Sequence, residues 1–203
     1  MPVETDARTD ALTGGFANPP QEAAYAFRAA LDAMARPGRI TTLDIARPPA
    51  PLSAAAGTLL LTLADPGTPV HLAGALDTPE IRQWIAFHTG APLAPRTEAA
   101  FAVGAWDALL PLEDYPLGSQ EYPDRSATLI VEREALSATG ARLTGPGIET
   151  AASLDLPAVD PFQANRKHFP RGLDFFFTCK DRVAALPRTT LVQSELAQSE
   201  EHA

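Results

Sequence analysis

Downstream of Pro19-Pro20, Ala24, Phe27, Leu31 and Met34 recur at helical spacing, with Arg28 and Asp32 on other faces. This predicts an amphipathic helix that Pro37-Gly38 stops. The segment 39–45 reads as a strand. Ser53 is placed to cap a second helix that ends at Asp65-Pro66-Gly67, and 69–72 reads as a short strand. A third helix has the clearest start: Thr78 caps it, Pro79 suits its first turn, and Glu80 complements the dipole. Its stripe is Ile81, Trp84, Ile85 and His88, and Thr89-Gly90 closes it. Strands follow at 99–103, 127–131 and 141–144, and Asp160-Pro161 opens a short helix. The run 173–179 is apolar without alternation, as in a strand covered on both faces. Pro187-Arg188 splits two further short strands, 183–186 and 189–192. Helices and strands alternate first and strands dominate later. The pattern fits a single α/β domain over 13–193, a mixed β-sheet flanked by helices, with polar, aperiodic arms at 1–12 and 194–203 expected to be flexible.

Composition narrows the function classes. Of 203 residues, 45 % are hydrophobic, enough for a core. The formal charge of −9 argues against a general nucleic-acid binder, because phosphate repels a chain of its own sign. One cysteine excludes an internal disulfide framework and a multi-cysteine metal site, and points to a reducing compartment. The four histidines lack the spacing of a zinc site, so no metal is expected. No stretch approaches the roughly 20 apolar residues of a membrane span. The start, Met1-Pro2-Val3-Glu4, has no basic residue before an apolar core, so a cytoplasmic protein is expected.

Several segments in order resemble one family. They are Phe27-Arg28 with Ala33-Met34 and Pro37-Gly38, then Leu60-Leu61-Thr62-Leu63-Ala64-Asp65 and Thr68-Pro69-Val70. Phe87-His88-Thr89-Gly90-Ala91-Pro92-Leu93, Ala127-Thr128-Leu129-Ile130 and Leu143-Thr144-Gly145-Pro146-Gly147-Ile148 follow. The last are Phe169-Pro170-Arg171-Gly172-Leu173-Asp174 and Leu186-Pro187-Arg188-Thr189-Thr190. From about Gly15 to Val192 the chain thus resembles the H subunit of the bacterial carbon–phosphorus lyase system for phosphonate use. The resemblance implies a core complex with G, I and J subunits, and a homodimer when isolated. It implies a supporting role, with partners, in transferring the ribose triphosphate moiety of ATP to an alkylphosphonate with release of adenine. On this reading the subunit is not expected to be catalytic alone. The resemblance also implies a reduced version of the pyridoxal-phosphate-dependent transferase fold, and it carries over no catalytic residue. The acidic stretch from Asp107 to Asp124 matches only loosely.

Pyridoxal phosphate needs a Schiff-base lysine and an acidic partner for the ring nitrogen. The two lysines, Lys167 in a basic cluster and Lys180 in a turn, read as solvated, so no cofactor is expected. Thr144-Gly145-Pro146-Gly147 reads as a tight turn rather than a phosphate loop, since it lacks the Lys-Ser/Thr ending. The candidate anion-binding residues are Arg188, Thr189, Thr190, His88 and Arg28. A guanidinium beside two hydroxyls can hold an oxyanion, though an arginine bracing loop carbonyls explains the same residues. For His88 a packed, hydrogen-bonded ring is the plainer reading. Asp174, opening an apolar strand, requires pairing, for which Arg188 is a candidate. Trp106, Tyr115 and Tyr122 are possible interface anchors or packing residues. The alternative to a complex subunit is a stand-alone enzyme or binding protein for a phosphorylated or phosphonylated small molecule. In that case Arg188, Thr189, His88 and Arg28 would converge in one pocket.

Overall fold

The structure is a computed structural model that describes residues 12–194. The expected arms lie outside the described residues except for Leu12 and Ser194. Six strands form a mixed sheet in the order β1-β8-β7-β4-β3-β2: β1 Thr41–Thr42, β2 Val70–Leu72, β3 Phe101–Ala105, β4 Thr128–Glu132, β7 Asp174–Cys179 and β8 Arg182–Leu186. The strands β2, β3, β4 and β7 are parallel, while β8 and β1 close the far side antiparallel. A second sheet, antiparallel, orders β6 (Ala152–Leu154), β5 (Ala141–Thr144) and β9 (Leu191–Gln193). This is the α/β class with a mixed sheet flanked by helices.

Three helices cover one face of the main sheet: α1 Pro19–Ala35, α2 Ala54–Leu63 and α3 Pro79–Thr89. Ile81, Trp84 and Ile85 of α3 are fully buried with Leu59 and Leu60 of α2 against Val103, Ile130 and Phe176. Burying each such large side chain contributes about 1.5–3 kcal/mol. The other face packs Leu129, Val131, Phe175 and Phe177 on the second sheet and on Phe162 of a short helix, α5, Asp160–Arg166. The unbroken apolar run in β7 follows from this. Phe176 points one way and Phe175 and Phe177 the other, and both faces are covered.

The helix starts follow the sequence. Ser53 Oγ accepts from Ala56 N at 3.2 Å and Thr78 Oγ1 from Ile81 N at 3.3 Å, while Gly90 ends α3 in the left-handed conformation, φ 67°.

Other expectations need correction. The stripe Ala24, Phe27 and Leu31 does not face the core: Phe27 is 47 % and Leu31 53 % exposed, and only Met34 tucks against it. The buried residues of α1 are Ala26, Ala30 and Ala33. This helix packs on α2, whose buried start is Ala55, Ala56 and Gly57, and small side chains on both helices allow close approach. The strand expected over 39–45 pairs only at Thr41 and Thr42. Beyond them the chain still buries Leu43, whose N donates to the Asp181 carbonyl at 2.6 Å, and Ala46, whose N donates to Thr58 Oγ1 at 2.9 Å. The acidic stretch holds a one-turn helix, α4 (Trp106–Leu109), and short 3-10 turns. Among the expected anchors, Tyr115 is buried and Trp106 packs on Phe162, leaving Tyr122 exposed beneath Arg125.

Candidate functional site

The parallel strands give the main sheet two distinct edges. At the amino-terminal edge lies the most connected arginine among the described residues. Asp174 opens β7 beside Thr128 of β4, and Arg188 follows β8, so the sheet register brings the pair together. Arg188 Nε donates to both Asp174 oxygens at 3.2 Å, and its backbone N donates to Oδ1 at 2.8 Å. Nη1 donates to the Pro123 carbonyl at 2.7 Å and to that of Pro170 at 3.4 Å, and Nη2 donates to Ser126 Oγ and Asp174. Its side chain is only 13 % exposed. The guanidinium therefore braces two loops, around 123–126 and at 170, against the start of β7, with every nitrogen engaged.

The other sequence-selected residues stand apart from this network. Thr190 is buried, its backbone N closing a turn onto Pro187 O and its hydroxyl without a partner; Thr189 is half-buried beside it. His88 ends α3, packs against Trp84 and Phe87, and approaches the Thr13 carbonyl at 3.3 Å. Trp84 Nε1 donates to the same carbonyl at 2.9 Å, so α3 anchors the segment that leads into α1. Arg28 is exposed on α1. Among the described residues no hydrogen bond joins Arg28 or His88 to the Arg188 loop. The glycine loop 144–147 packs against the end of α1: a Cβ on Gly147, φ 81°, would lie 1.9 Å from the Ala35 carbonyl. Cys179 is buried and donates to the Glu134 carbonyl at 3.1 Å.

The carboxyl-terminal edge carries a site that the sequence reading did not select. In open α/β sheets this is where ligands bind. Here β3, β4 and β7 end at Ala105, Glu132 and Cys179, and α2 begins above them. A cavity of about 480 Å³ is lined by Pro51, Ala75, Leu76, Ala105, Glu132 and Lys180, among others. A second, of about 400 Å³, is lined by Trp106, Arg133, Asp155 and again Glu132. Glu132 Oε1 accepts from Ser53 N at 2.8 Å, and Oε2 accepts from Thr178 Oγ1 at 2.9 Å. Burial pushes the Glu132 carboxyl above the ordinary glutamate range, against the opposing pull of these Ser53 and Thr178 donors. Arg133, next along, reaches Asp155 at 3.1 Å.

Most backbone N–H groups at the start of α2 that could hold a cofactor phosphate are already engaged. At α2 the Ser53 N–H is held by Glu132, that of Ala55 by the Lys180 carbonyl and that of Ala56 by Ser53 Oγ. Among the described residues no group of three or more His, Cys, Asp or Glu side chains is placed to hold a metal ion, and no helix is long and apolar enough to cross a membrane.

Residues 14–193 match a protein family described as Bacterial phosphonate metabolism protein (PhnH). The chain is 44 % identical over 198 residues to the alpha-D-ribose 1-methylphosphonate 5-triphosphate synthase subunit PhnH of Rhizobium meliloti (strain 1021), covering 93 % of this chain and 99 % of that protein. It is 32 % identical over 197 residues to HtxG of Stutzerimonas stutzeri, provisionally named a C-P lyase subunit, covering 87 % and 93 %.

Proposed function

Because this chain belongs to the PhnH family of bacterial phosphonate metabolism proteins, we propose that it is a docking subunit of a carbon–phosphorus lyase complex. Its partners in this reading are the G, I and J subunits. With them it supports transfer of the ribose triphosphate moiety of ATP to an alkylphosphonate, with release of adenine. Alone it forms a homodimer in the cytoplasm. The reduced pyridoxal-transferase likeness belongs to the same reading, as a fold kept without its cofactor.

The observation that carries the docking role is the outward face of α1. Phe27 and Leu31 lie one helical turn apart and are about half exposed, and Tyr25, 61 % exposed, stands on the other flank of the same helix. A folded chain gains nothing by showing solvent three large apolar side chains on one helix when its own alanines suffice to pack it. Aromatic and large apolar side chains of this kind anchor protein interfaces. A tagged chain carrying Phe27→Glu and Leu31→Glu, co-expressed with the other subunits, tests this. The folded variant is expected to come down without partners, and full recovery of partners would refute the docking role of this face.

Transfer chemistry by the isolated chain would refute the subunit reading itself. Purified alone with ATP and methylphosphonate, it is expected to release no adenine. The stand-alone enzyme reading asks Arg188, Thr189, His88 and Arg28 to share a pocket. It is the weaker reading, because Arg188 already uses its donors on Asp174, Ser126 and two loop carbonyls.

A further inference from the structure

We propose that the crevice at the carboxyl-terminal edge of the main sheet, floored by Glu132, receives a nucleobase, with the Glu132 carboxylate accepting a ring or exocyclic N–H. This deepens the preceding reading and rests on it, since a complex that releases adenine must hold the base somewhere. Four observations point to this ligand class. The first is place: the crevice opens where β3, β4 and β7 end and α2 begins, the position at which α/β sheets bind small molecules. The second is size: about 480 Å³, adjoined by about 400 Å³, lies within the usual range of small-molecule sites, roughly 300–1,000 Å³.

The third is the chemistry of the floor. Glu132 takes hydrogen bonds from the backbone and side chain of Ser53 and from Thr178 Oγ1, and a carboxylate, with about four acceptor positions, keeps room for one more. Unused acceptor capacity in a desolvated place selects a ligand that brings N–H donors. The walls formed by Pro51, Ala75, Leu76 and Ala105 are apolar, as a ring face requires. The fourth is charge, which decides between the two ends of a nucleotide. Glu132, Glu134 and Asp155 line the two cavities against Arg133 and Lys180, and Arg133 already pairs with Asp155. In the larger cavity two acidic and two basic side chains balance, so a triphosphate entering it would find no excess of positive charge to hold it, whereas an uncharged heterocycle needs none.

The test is calorimetric titration of the full chain, alone and co-purified with its partner subunits, using adenine, adenosine and inorganic tripolyphosphate as probes. Adenine and adenosine are expected to bind saturably and tripolyphosphate to leave the crevice untouched. Glu132→Gln removes the charge while keeping the shape, and is expected to weaken adenosine binding about tenfold, as loss of one charge-assisted hydrogen bond does. Ala105→Leu, at an exposed wall position, narrows the crevice without touching Glu132 and is expected to weaken it as well. Absence of saturable adenosine binding by the wild type overturns the assignment, as does wild-type affinity in the folded variants. Should Glu132→Gln fail to fold, Ala105→Leu decides alone. Recovery of partners by these variants is scored separately, so a failed crevice assignment and a failed docking role give different results.

Discussion

Arg188 and Glu132 show how differently two charged residues can be written into one sequence. Arg188 ties Asp174, Ser126 and the carbonyls of Pro123 and Pro170 into one cluster, and its removal strands a half-buried carboxylate. Arg188→Ala is therefore expected to destabilise the fold by about 3 kcal/mol, measured by urea unfolding. A variant as stable as the wild type would show that the cluster does not hold these loops. The pair was legible, because an aspartate that opens an apolar strand demands a cation and Arg188 ends the neighbouring hairpin. Glu132 was not legible. It sits among Arg133 and Glu134, which read as a solvated turn, and its burial is created by Ser53, 79 residues earlier. Its raised pKa means that the folded state holds the proton more tightly than the unfolded chain. The stabilisation this brings is complete below the ordinary value of 4.5 and is lost as pH rises through the folded value. Glu132→Gln, which cannot ionise, is thus expected to gain stability relative to wild type as pH rises over that window. Denaturant midpoints of both proteins across acid to neutral pH read this, and a constant difference would contradict it.

At the scale of elements, caps and stops were the most readable signals, because each depends on a few adjacent residues. Thr78 caps α3 through the Ile81 N–H, and Thr78→Ala is expected to cost about 1 kcal/mol in thermal or chemical unfolding. An unchanged midpoint would mean that Pro79 and packing alone fix this start. The facing of α1 was misread for a physical reason. Periodicity reports that an apolar stripe exists, not what covers it. In α1 two stripes compete, one large (Phe27, Leu31) and one small (Ala26, Ala30, Ala33), and packing against α2 selects the small one. The consequence is testable on the isolated chain. Phe27→Glu with Leu31→Glu is expected to shift unfolding by no more than about 0.5 kcal/mol per site, as exposed positions do. A loss of several kcal/mol would show that the stripe belongs to the core after all. The strand β6 escaped notice because its three residues, Ala152–Leu154, carry no alternation of their own and exist through pairing with β5.

For the whole molecule, the sheet sorts the charged residues by edge. Its amino-terminal edge is closed by the Arg188 cluster, its carboxyl-terminal edge opens into the Glu132 crevice, and the helical face leaves Tyr25, Phe27 and Leu31 in solvent. The fold class, a mixed sheet flanked by helices, was readable from the helix–strand alternation followed by strands. The open edge was not, because only the parallel register of β3, β4 and β7 brings Ala105, Glu132 and Thr178 level. These three features describe a chain built to join others while keeping a small pocket accessible. Native mass spectrometry of the tagged chain, co-expressed with the G, I and J subunits, puts that account to its hardest trial. A discrete assembly containing this chain in fixed ratio, which dissolves when Phe27 and Leu31 become glutamates, is the result expected. The chain recovered only as free monomer or dimer beside an intact complex of the others would contradict it.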